Sequence, residues 1–270
     1  MGEQHGSGYF EYRRFGILSS HPDPDPFLRF PVTSSAQLLS RHLSSIVIVV
    51  LSTISTSAGD EPGGRSNRWD FDDLEGWVDG SHAGSPRSYE IRAGQLFMST
   101  RPETRDRVKV RTDERFGVGR YSWKIVIPKM GKGDQFSVGA FLYHDDKHEL
   151  DFEIGYGTAK VRREVDAGPE QLVCYCTSQG GPYSSTKLLV KAGAVHTFAI
   201  DIRQGAGGNY RVQWFVNDQE VKQLQTEFGK EILFYIFCSV ENLTFIGDHI
   251  PQQKNHALFD FVEFDSMQGG

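Results

Sequence analysis

Acidic and apolar residues alternate without a break over residues 148–154, whose sequence is HELDFEI. Successive side chains leave opposite faces of an extended backbone, so this period of two predicts a β-strand. One face would be apolar, and the other would carry Glu149, Asp151 and Glu153 in a row, with neighbours roughly 7 Å apart. Each neighbouring pair would repel by about 0.6 kcal/mol in water and by about 2.4 kcal/mol at an effective dielectric constant near 20. The pattern therefore fits either a solvated sheet face or reactive carboxylates in a groove.

Strand-like runs separated by turn residues continue from Trp69 to the end of the chain, and only 218–228 has weak helical character. The 29 glycines and the 12% of aromatic residues suit many strands joined by tight turns. We therefore predict an all-β fold, a two-sheet antiparallel β-sandwich. The predicted strands include 88–91, 95–99, 107–112, 120–127, 135–143, 149–154, 171–177, 196–202, 210–216, 232–237 and 257–265.

The N-terminal part of the chain differs from this pattern. Residues 1–40 are rich in Ser, Pro, Gly and charge without periodicity, so we expect either a disordered segment or a start codon placed too far upstream. Residues 41–58 combine a positive charge, a short apolar run and small residues, as secretory signals do. The alternative is a short hydrophobic strand in a tail. We predict a linker at 59–67, a β-domain at 68–267 and a secreted or periplasmic protein.

The charge and the apolar content limit which partners the chain can bind, and the cysteines limit its disulfides. The net charge is −6 and no basic block is present, which excludes a typical nucleic-acid-binding protein. The apolar run in 41–58 is too short for a membrane span, so we expect no stable span in the mature chain, which we also expect to be monomeric. Cys174 and Cys176 would share one strand face, and either could pair with Cys238, or all three could be buried thiols.

The sequence ELDFE at 149–153 resembles the Glu-x-Asp-x-Glu signature of glycoside hydrolase family 16, which includes laminarinases, lichenases and agarases. Further segments resemble strands of that family in the same order, so that the likeness covers about residues 69–266. The resemblance implies a jelly roll of two curved antiparallel sheets with a glycan-binding cleft across the concave one. The segments concerned are 116–121, 140–143, 196–201, 213–218 and 259–264.

By this resemblance the chain would be a retaining, endo-acting hydrolase of a β-1,3/1,4-glucan or galactan, or a transglycosylase with the same site. Glu149 would be the nucleophile, Glu153 the acid/base, and Asp151 would hydrogen-bond Glu149. Retaining glycosidases place two carboxyl groups about 5–5.5 Å apart. On a straight strand the Cα atoms of Glu149 and Glu153 lie about 13 Å apart, so the strand would have to curve and both side chains would have to lean inward.

The resemblance also implies residues that bind the sugar chain. For Arg111 the alternative is a charge on an exposed strand, and for Phe141 the alternative is core packing. Two departures from the family, Lys147 where many members have Trp and a Phe for Trp at 237, reduce the surface available for stacking on sugars. The implied substrate-binding residues are Arg111, Phe141, Tyr143, Tyr175, Thr177 and Phe237.

No cofactor is required by this chemistry, although Asp260 matches an acid that in many members helps to bind a structural Ca²⁺. A single carboxylate is weak support, because Ca²⁺ takes six or more oxygen ligands. Two other functions fit the same residues. One is a lectin-like sandwich that binds carbohydrate without turnover, and the other is a structural or adhesion domain with an acidic face.

Overall fold

The computed structural model describes residues 65–267. The predicted segments 1–40 and 41–58, and most of the predicted linker, lie outside the described residues. The described strands are β1 (Ser66–Trp69), β2 (Trp77–Asp79), β3 (Tyr89–Ile91), β4 (Leu96–Thr100), β5 (Arg107–Thr112), β6 (Gly119–Ile127), β7 (Phe136–Asp145), β8 (His148–Gly155), β9 (Gln171–Ser178), β10 (Ser184–Lys191), β11 (Ala194–Gln204), β12 (Asn209–Val216), β13 (Gln219–Gly229), β14 (Tyr235–Asn242) and β15 (Asn255–Asp265), and the α-helix is α1 (Ala159–Glu164).

These strands form two antiparallel sheets, which confirms the predicted all-β sandwich. The acid-bearing sheet has the order β10-β9-β8-β7-β14-β5-β2, so β8 lies in its interior between β7 and β9. The opposing sheet has the order β13-β12-β11-β6-β15-β4-β3, and β1 pairs with β15. Neighbours in sequence are often not neighbours in a sheet, so residues far apart in the chain meet on one face.

The core lies between the two sheets and is filled by alternate residues of each strand. On β8 the predicted apolar face, Leu150, Phe152 and Ile154, is fully buried. The ring of Phe152 lies 5.1 Å from that of Phe198 on β11, which belongs to the opposing sheet. Burial of one such side chain contributes about 1.5–3 kcal/mol, so the core fixes which face of β8 points outward.

The three cysteines are free and buried in this core. Cys174 and Cys176 share the core-facing side of β9, as the strand pattern predicts, and Cys238 lies on the core-facing side of β14. The structure therefore has the buried-thiol arrangement and not a pairing with Cys238.

Three sequence expectations about local structure were wrong. The predicted linker overlaps β1, which begins at Ser66 because it pairs with the last strand. The segment 218–228, given weak helical character, is the edge strand β13. The turn residues Asn217 and Asp218 both adopt positive φ, the geometry of a two-residue hairpin, and that turn sends the chain back along β12. The predicted strand 232–237 is displaced along the chain to β14, which runs from Tyr235 to Asn242.

Candidate active site

The acid row Glu149, Asp151 and Glu153 lies on the outward face of the acid-bearing sheet. Paired residues on neighbouring strands share a face, so the register identifies what surrounds the row. On β7, Glu149 faces Tyr143 and Glu153 faces Gly139. All six predicted substrate-binding residues lie on this same face, through the pairings Asp151↔Phe141, Asp151↔Thr177, Glu153↔Tyr175, Phe237↔Phe141 and Phe237↔Arg111.

Glu149 is the most accessible acid of the row, since its side chain is only half-buried. Burial raises its pKa to about 7, and Glu241 and Asp146 act in the same direction. Lys109 and Arg107 oppose this effect because their positive charges favour the carboxylate. Glu149 therefore titrates near neutral pH, where the carboxylate needed for a nucleophile is available.

Asp151 in the middle of the row is only 1% exposed. Its Oδ2 accepts a 3.0 Å hydrogen bond from Gln179 Nε2, whereas Oδ1 has no hydrogen-bond partner among residues 65–267. The expected hydrogen bond to Glu149 is thus replaced by one to Gln179. Burial raises the pKa of Asp151 well above its usual range, and Glu149 and Glu153 on either side raise it further.

Glu153 is 9% exposed and leans over β7. Its Oε2 accepts a hydrogen bond from the Ser137 hydroxyl. A Cβ atom added at Gly139 would lie 3.0 Å from Oε1, so the missing side chain of this glycine makes room for the carboxyl group. Burial raises the pKa of Glu153 to about 8, followed by the charges of Glu241 and Glu149. A carboxylic acid that keeps its proton at neutral pH is what a general acid requires.

The three carboxyl groups act on one another and titrate as a set. The pKa of each group is raised mainly because the low-polarity surroundings disfavour a charge, and each ionised neighbour raises it further. At neutral pH the row therefore carries fewer charges than carboxyl groups.

A group of charged residues that the sequence analysis missed lies on the same face. Glu241 on β14 is 1% exposed and forms ion pairs with Arg107 and with Lys109, whose Nζ lies 3.2 Å from Glu241 Oε1. Burial alone would raise the pKa of Glu241, but Lys109 and Arg107 outweigh it and lower the pKa. The available signal was the alternation of Ser239, Val240 and Glu241, which the strand predicted at 232–237 ended too early to include.

The predicted aromatic residues mostly contact each other. Phe141 and Phe237 are stacked with ring centroids 4.6 Å apart, and they are 3% and 7% exposed, so little of either ring is open to a ligand. The Tyr143 hydroxyl donates a 2.8 Å hydrogen bond to Asp146, and burial followed by this bond raises its pKa. These rings therefore form the floor beside the acids and do not offer an open stacking surface.

An exposed aromatic ring is found instead near the Glu153 end of the row. Phe245, in the loop after β14, is 52% exposed and contacts Tyr175 edge-on with ring centroids 5.9 Å apart. Tyr175 itself is 8% exposed, and its hydroxyl has no hydrogen-bond partner in the described part of the chain. A single aromatic residue in a loop gave no sequence signal.

The remaining predicted residues have local partners. Arg111 donates to the Thr112 carbonyl, and its guanidinium lies 4.0 Å from the centre of the Tyr235 ring. The Thr177 hydroxyl lies 3.0 Å from that of Ser185. Lys109, two residues before Arg111, is the cation whose charge lowers the pKa of both Glu149 and Glu153.

Asp260 lies on β15 of the opposing sheet. Its carboxylate accepts a 2.9 Å hydrogen bond from Gln95 and forms a 2.8 Å ion pair with Lys124. A calcium ion there would face a lysine ammonium group, so these surroundings do not fit the metal. Within residues 65–267 no group of three or more His, Cys, Asp or Glu side chains is placed to hold a metal ion.

Comparison with solved structures gives the same fold. The chain is similar to the β-glucanase of Bacillus licheniformis, with a TM-score of 0.52 and 15% identity over 77% of this chain and 100% of that one. It is similar to the laminarinase catalytic domain of Thermotoga petrophila RKU-1, with a TM-score of 0.54 and 14% identity over 76% of this chain and 100% of that one. It is also similar to the Crh5 transglycosylase in complex with NAG, with a TM-score of 0.56 and 14% identity over 75% of this chain and 84% of that one.

No protein-family model and no curated protein matches the sequence. At these identities the structural likeness shows the fold, which is the jelly-roll sandwich of the glucanases. Among the described residues, no helix has the length and apolar character needed to cross a membrane.

Proposed function

We propose that the chain is a retaining, endo-acting glycoside hydrolase of the family-16 type that cleaves a β-1,3/1,4-glucan or galactan. The observation that carries the proposal is the buried row Glu149, Asp151 and Glu153, in which burial raises all three pKa values. A structural acidic face would expose its carboxylates and leave them ionised. The glucanase fold supports the same chemistry.

In the proposed reaction Glu149 attacks the anomeric carbon as a carboxylate, while Glu153 donates its proton to the leaving glycosidic oxygen. The glycosyl–Glu149 ester is then cleaved by water, and Glu153 takes the proton of that water. Each acid ends the cycle in the protonation state in which it began. The pKa of Glu153, raised to about 8 by burial, agrees with its role as the proton donor.

The conformation of Glu153 sets a condition on this mechanism. Its hydrogen-bond donor Ser137 faces Gly155, two residues beyond Glu153 and farther from Glu149. One oxygen of Glu153 is therefore held on the side away from Glu149, whereas retention needs the two carboxyl groups about 5–5.5 Å apart and a wider spacing that admits a water molecule favours inversion.

A carbohydrate-binding protein without turnover is the second candidate. It is favoured by the same Ser137–Glu153 hydrogen bond and by the limited exposure of Phe141 and Phe237. Transfer to a sugar acceptor in place of water is a variant of the first candidate, and similarity to the Crh5 transglycosylase supports it. The polysaccharide partner and a secreted location remain part of this proposal.

The test is product analysis on neutral β-glucans and galactans. We expect wild-type protein to release oligosaccharides, NMR of the first product to show the β-anomer, and Glu153→Gln to lose activity. Glu263→Gln is the matched control, because Glu263 lies on the opposing sheet and pairs with Arg68. Binding of glycans by wild-type protein with no product from any of them would contradict the proposal and support the binding protein.

A further inference from the structure

The ion group formed by Glu241, Lys109 and Arg107, called here the Glu241 cluster, lies on the face that carries the acid row. Glu241 is 1% exposed, and its two carboxylate oxygens are each engaged, Oε1 by Lys109 and Oε2 by Arg107. A carboxylate this deeply buried and fully engaged has no access to a sugar. Glu241 can therefore influence a reaction only through other residues.

Glu153 leans toward this cluster. Ser137, which donates to Glu153 Oε2, is the direct cross-strand partner of Glu241. Ser239 lies on the same face of β14, and its Oγ would collide with a Cβ atom at Gly139, the position that also lies 3.0 Å from Glu153 Oε1. The Glu153 carboxyl group is therefore held above β7, on the side of β14.

The groups that face Glu153 lie on its own strand, on the neighbouring strands and in the Glu241 cluster, and only the first and last of these carry charge. Glu149 and Asp151 lie on its own strand, and β9 supplies Tyr175 as its cross-strand partner. The neighbouring β7 supplies only the uncharged Ser137 and Gly139. The remaining charges are those of the Glu241 cluster on β14 and β5, in which one carboxylate faces two cations. Without Glu241, the charge of Lys109 would act on Glu153 without the opposing charge of the Glu241 carboxylate.

We propose that Glu241 is a positioning residue that binds Lys109 and Arg107 on its own side of the sheet face, so that these cations do not pair with Glu153. Glu153 thereby stays protonated. The catalytic consequence of this role rests on the proposed function, whereas the effect of Glu241 on the protonation of Glu153 does not. The inference assigns a role to a buried carboxylate that otherwise only fills the sheet face.

The sign of the effect follows from the charges. Glu241→Gln removes a negative charge and leaves two cations beside the acids, so Glu153 becomes more acidic and the basic limb of the kcat/KM profile moves to lower pH. Lys109→Met removes a positive charge, so that limb moves to higher pH. We expect displacements of about one pH unit or more in opposite directions. Lys124→Met on the opposing sheet is the control and should leave the profile unchanged.

The experiment combines this profile with ¹³C NMR titration of the glutamate carboxyl groups in the full chain, with Glu153→Gln to assign the resonance. The titration needs no activity, so an inactive wild-type protein would refute the proposed function and still test this inference. If Glu241→Gln does not fold, Lys109→Met tests the opposite sign independently. The inference is overturned if the Glu153 midpoint does not move in the expected direction in the folded variants, whatever their stability.

Discussion

Two strands of this molecule carry several acidic residues among apolar ones, β8 in strict alternation and β15 with Asp260 and Glu263 three residues apart, and the acids differ in their surroundings. On β8 the acids are Glu149, Asp151 and Glu153, and burial raises the pKa of each. On β15, in contrast, Asp260 is half-buried and its pKa is lowered, first by its hydrogen bond with Lys124. Acidic residues on a strand therefore form a row that keeps protons in one sheet and an ordinary ion pair in the other.

The cause is the neighbouring strands. Beside β15, β6 supplies Lys124 within 2.8 Å of Asp260, and Arg68 of β1 pairs with Glu263. Beside β8, the residues of β7 and β9 that pair with its acids are uncharged at neutral pH. The cations that act on Glu149 and Glu153 are on β5, where they are bound to Glu241. An acid without an adjacent cation keeps its proton, so pairing in the sheet decides the chemistry.

The largest expected difference between the two strands is in catalysis. Glu149→Gln should lower activity by on the order of a thousandfold or more, because an amide cannot form the glycosyl ester. Glu263→Gln on β15 should leave activity within about twofold, since its ion pair is on the other sheet. Initial rates on the best substrate of the polysaccharide panel would measure both, and comparable losses in the two variants would remove the contrast.

The next effect is steric and concerns the space in which Glu153 lies. Gly139→Ala places a methyl group against Ser239 Oγ and 3.0 Å from Glu153 Oε1. We expect a loss of about 1–3 kcal/mol in the free energy of unfolding, typical of overpacking, together with reduced activity. Urea denaturation measures the first effect.

The matched control for this substitution is the double variant Gly139→Ala, Ser239→Ala, which removes one of the two colliding atoms. It should recover part of the stability. If Gly139→Ala is as stable as wild type, the tight approach of Glu153 to β7 is incorrect.

The third effect is the pH dependence of stability. The unfolded chain releases its glutamate and aspartate protons near pH 4, whereas the folded acid row keeps protons to about pH 7–8. The folded state thus binds more protons between these limits, so the free energy of unfolding should fall as pH rises from about 4 to 8. Glu153→Gln should flatten this decline by on the order of 2 kcal/mol.

Asp260→Asn provides the opposite comparison for this measurement. Because the pKa of Asp260 is lowered, its contribution is present above its unfolded pKa and is lost only as pH falls below it. Thermal unfolding from pH 4 to 9 should therefore show no flattening in this variant. The comparison is the change in the free energy of unfolding between pH 5 and pH 8 in wild type and in Glu153→Gln. An equal change in the two proteins would contradict the protonated row.

The smallest effect concerns the ion pairs of β15. Lys124→Met should change stability by no more than about 1 kcal/mol, because partly exposed ion pairs contribute little.

Addition of a calcium chelator should leave the unfolding temperature unchanged if Asp260 binds Lys124 and not a metal. A chelator-induced fall that Asp260→Asn abolishes would restore the calcium site.

Most strands could be predicted from alternation, because the period of two is a local property, but β1, β2 and β10 were not among the predicted strands. β8 was predicted within one residue at each end, and so was its apolar face. The hairpin between β12 and β13 was missed because its two-residue turn, Asn217 and Asp218, was included in an apparent helical pattern. Local sequence could not show that β13 completes a sheet edge.

The site was predicted only in part, for a different reason. The three acids are adjacent on one strand and carry their own pattern. The other residues come together through pairing of β5, β7 and β14, which are far apart in the chain. Ser137 donates to Glu153, and Lys109 pairs with Glu241 in the neighbouring cluster. Truncating the predicted strand at 237 then left Glu241 outside it. The Gln179 amide that replaces Glu149 as the partner of Asp151 likewise depends on pairing with β9.

The most direct test of the account is a carboxyl titration that compares the two strands in one sample. ¹³C NMR of the side-chain carboxyl groups should show midpoints near or above pH 7 for Glu149 and Glu153, and a midpoint below the usual aspartate value for Asp260. If Glu149 and Glu153 both titrate near pH 4.5, as exposed glutamates do, the acid row is a solvated sheet face and the proposed chemistry has no proton donor.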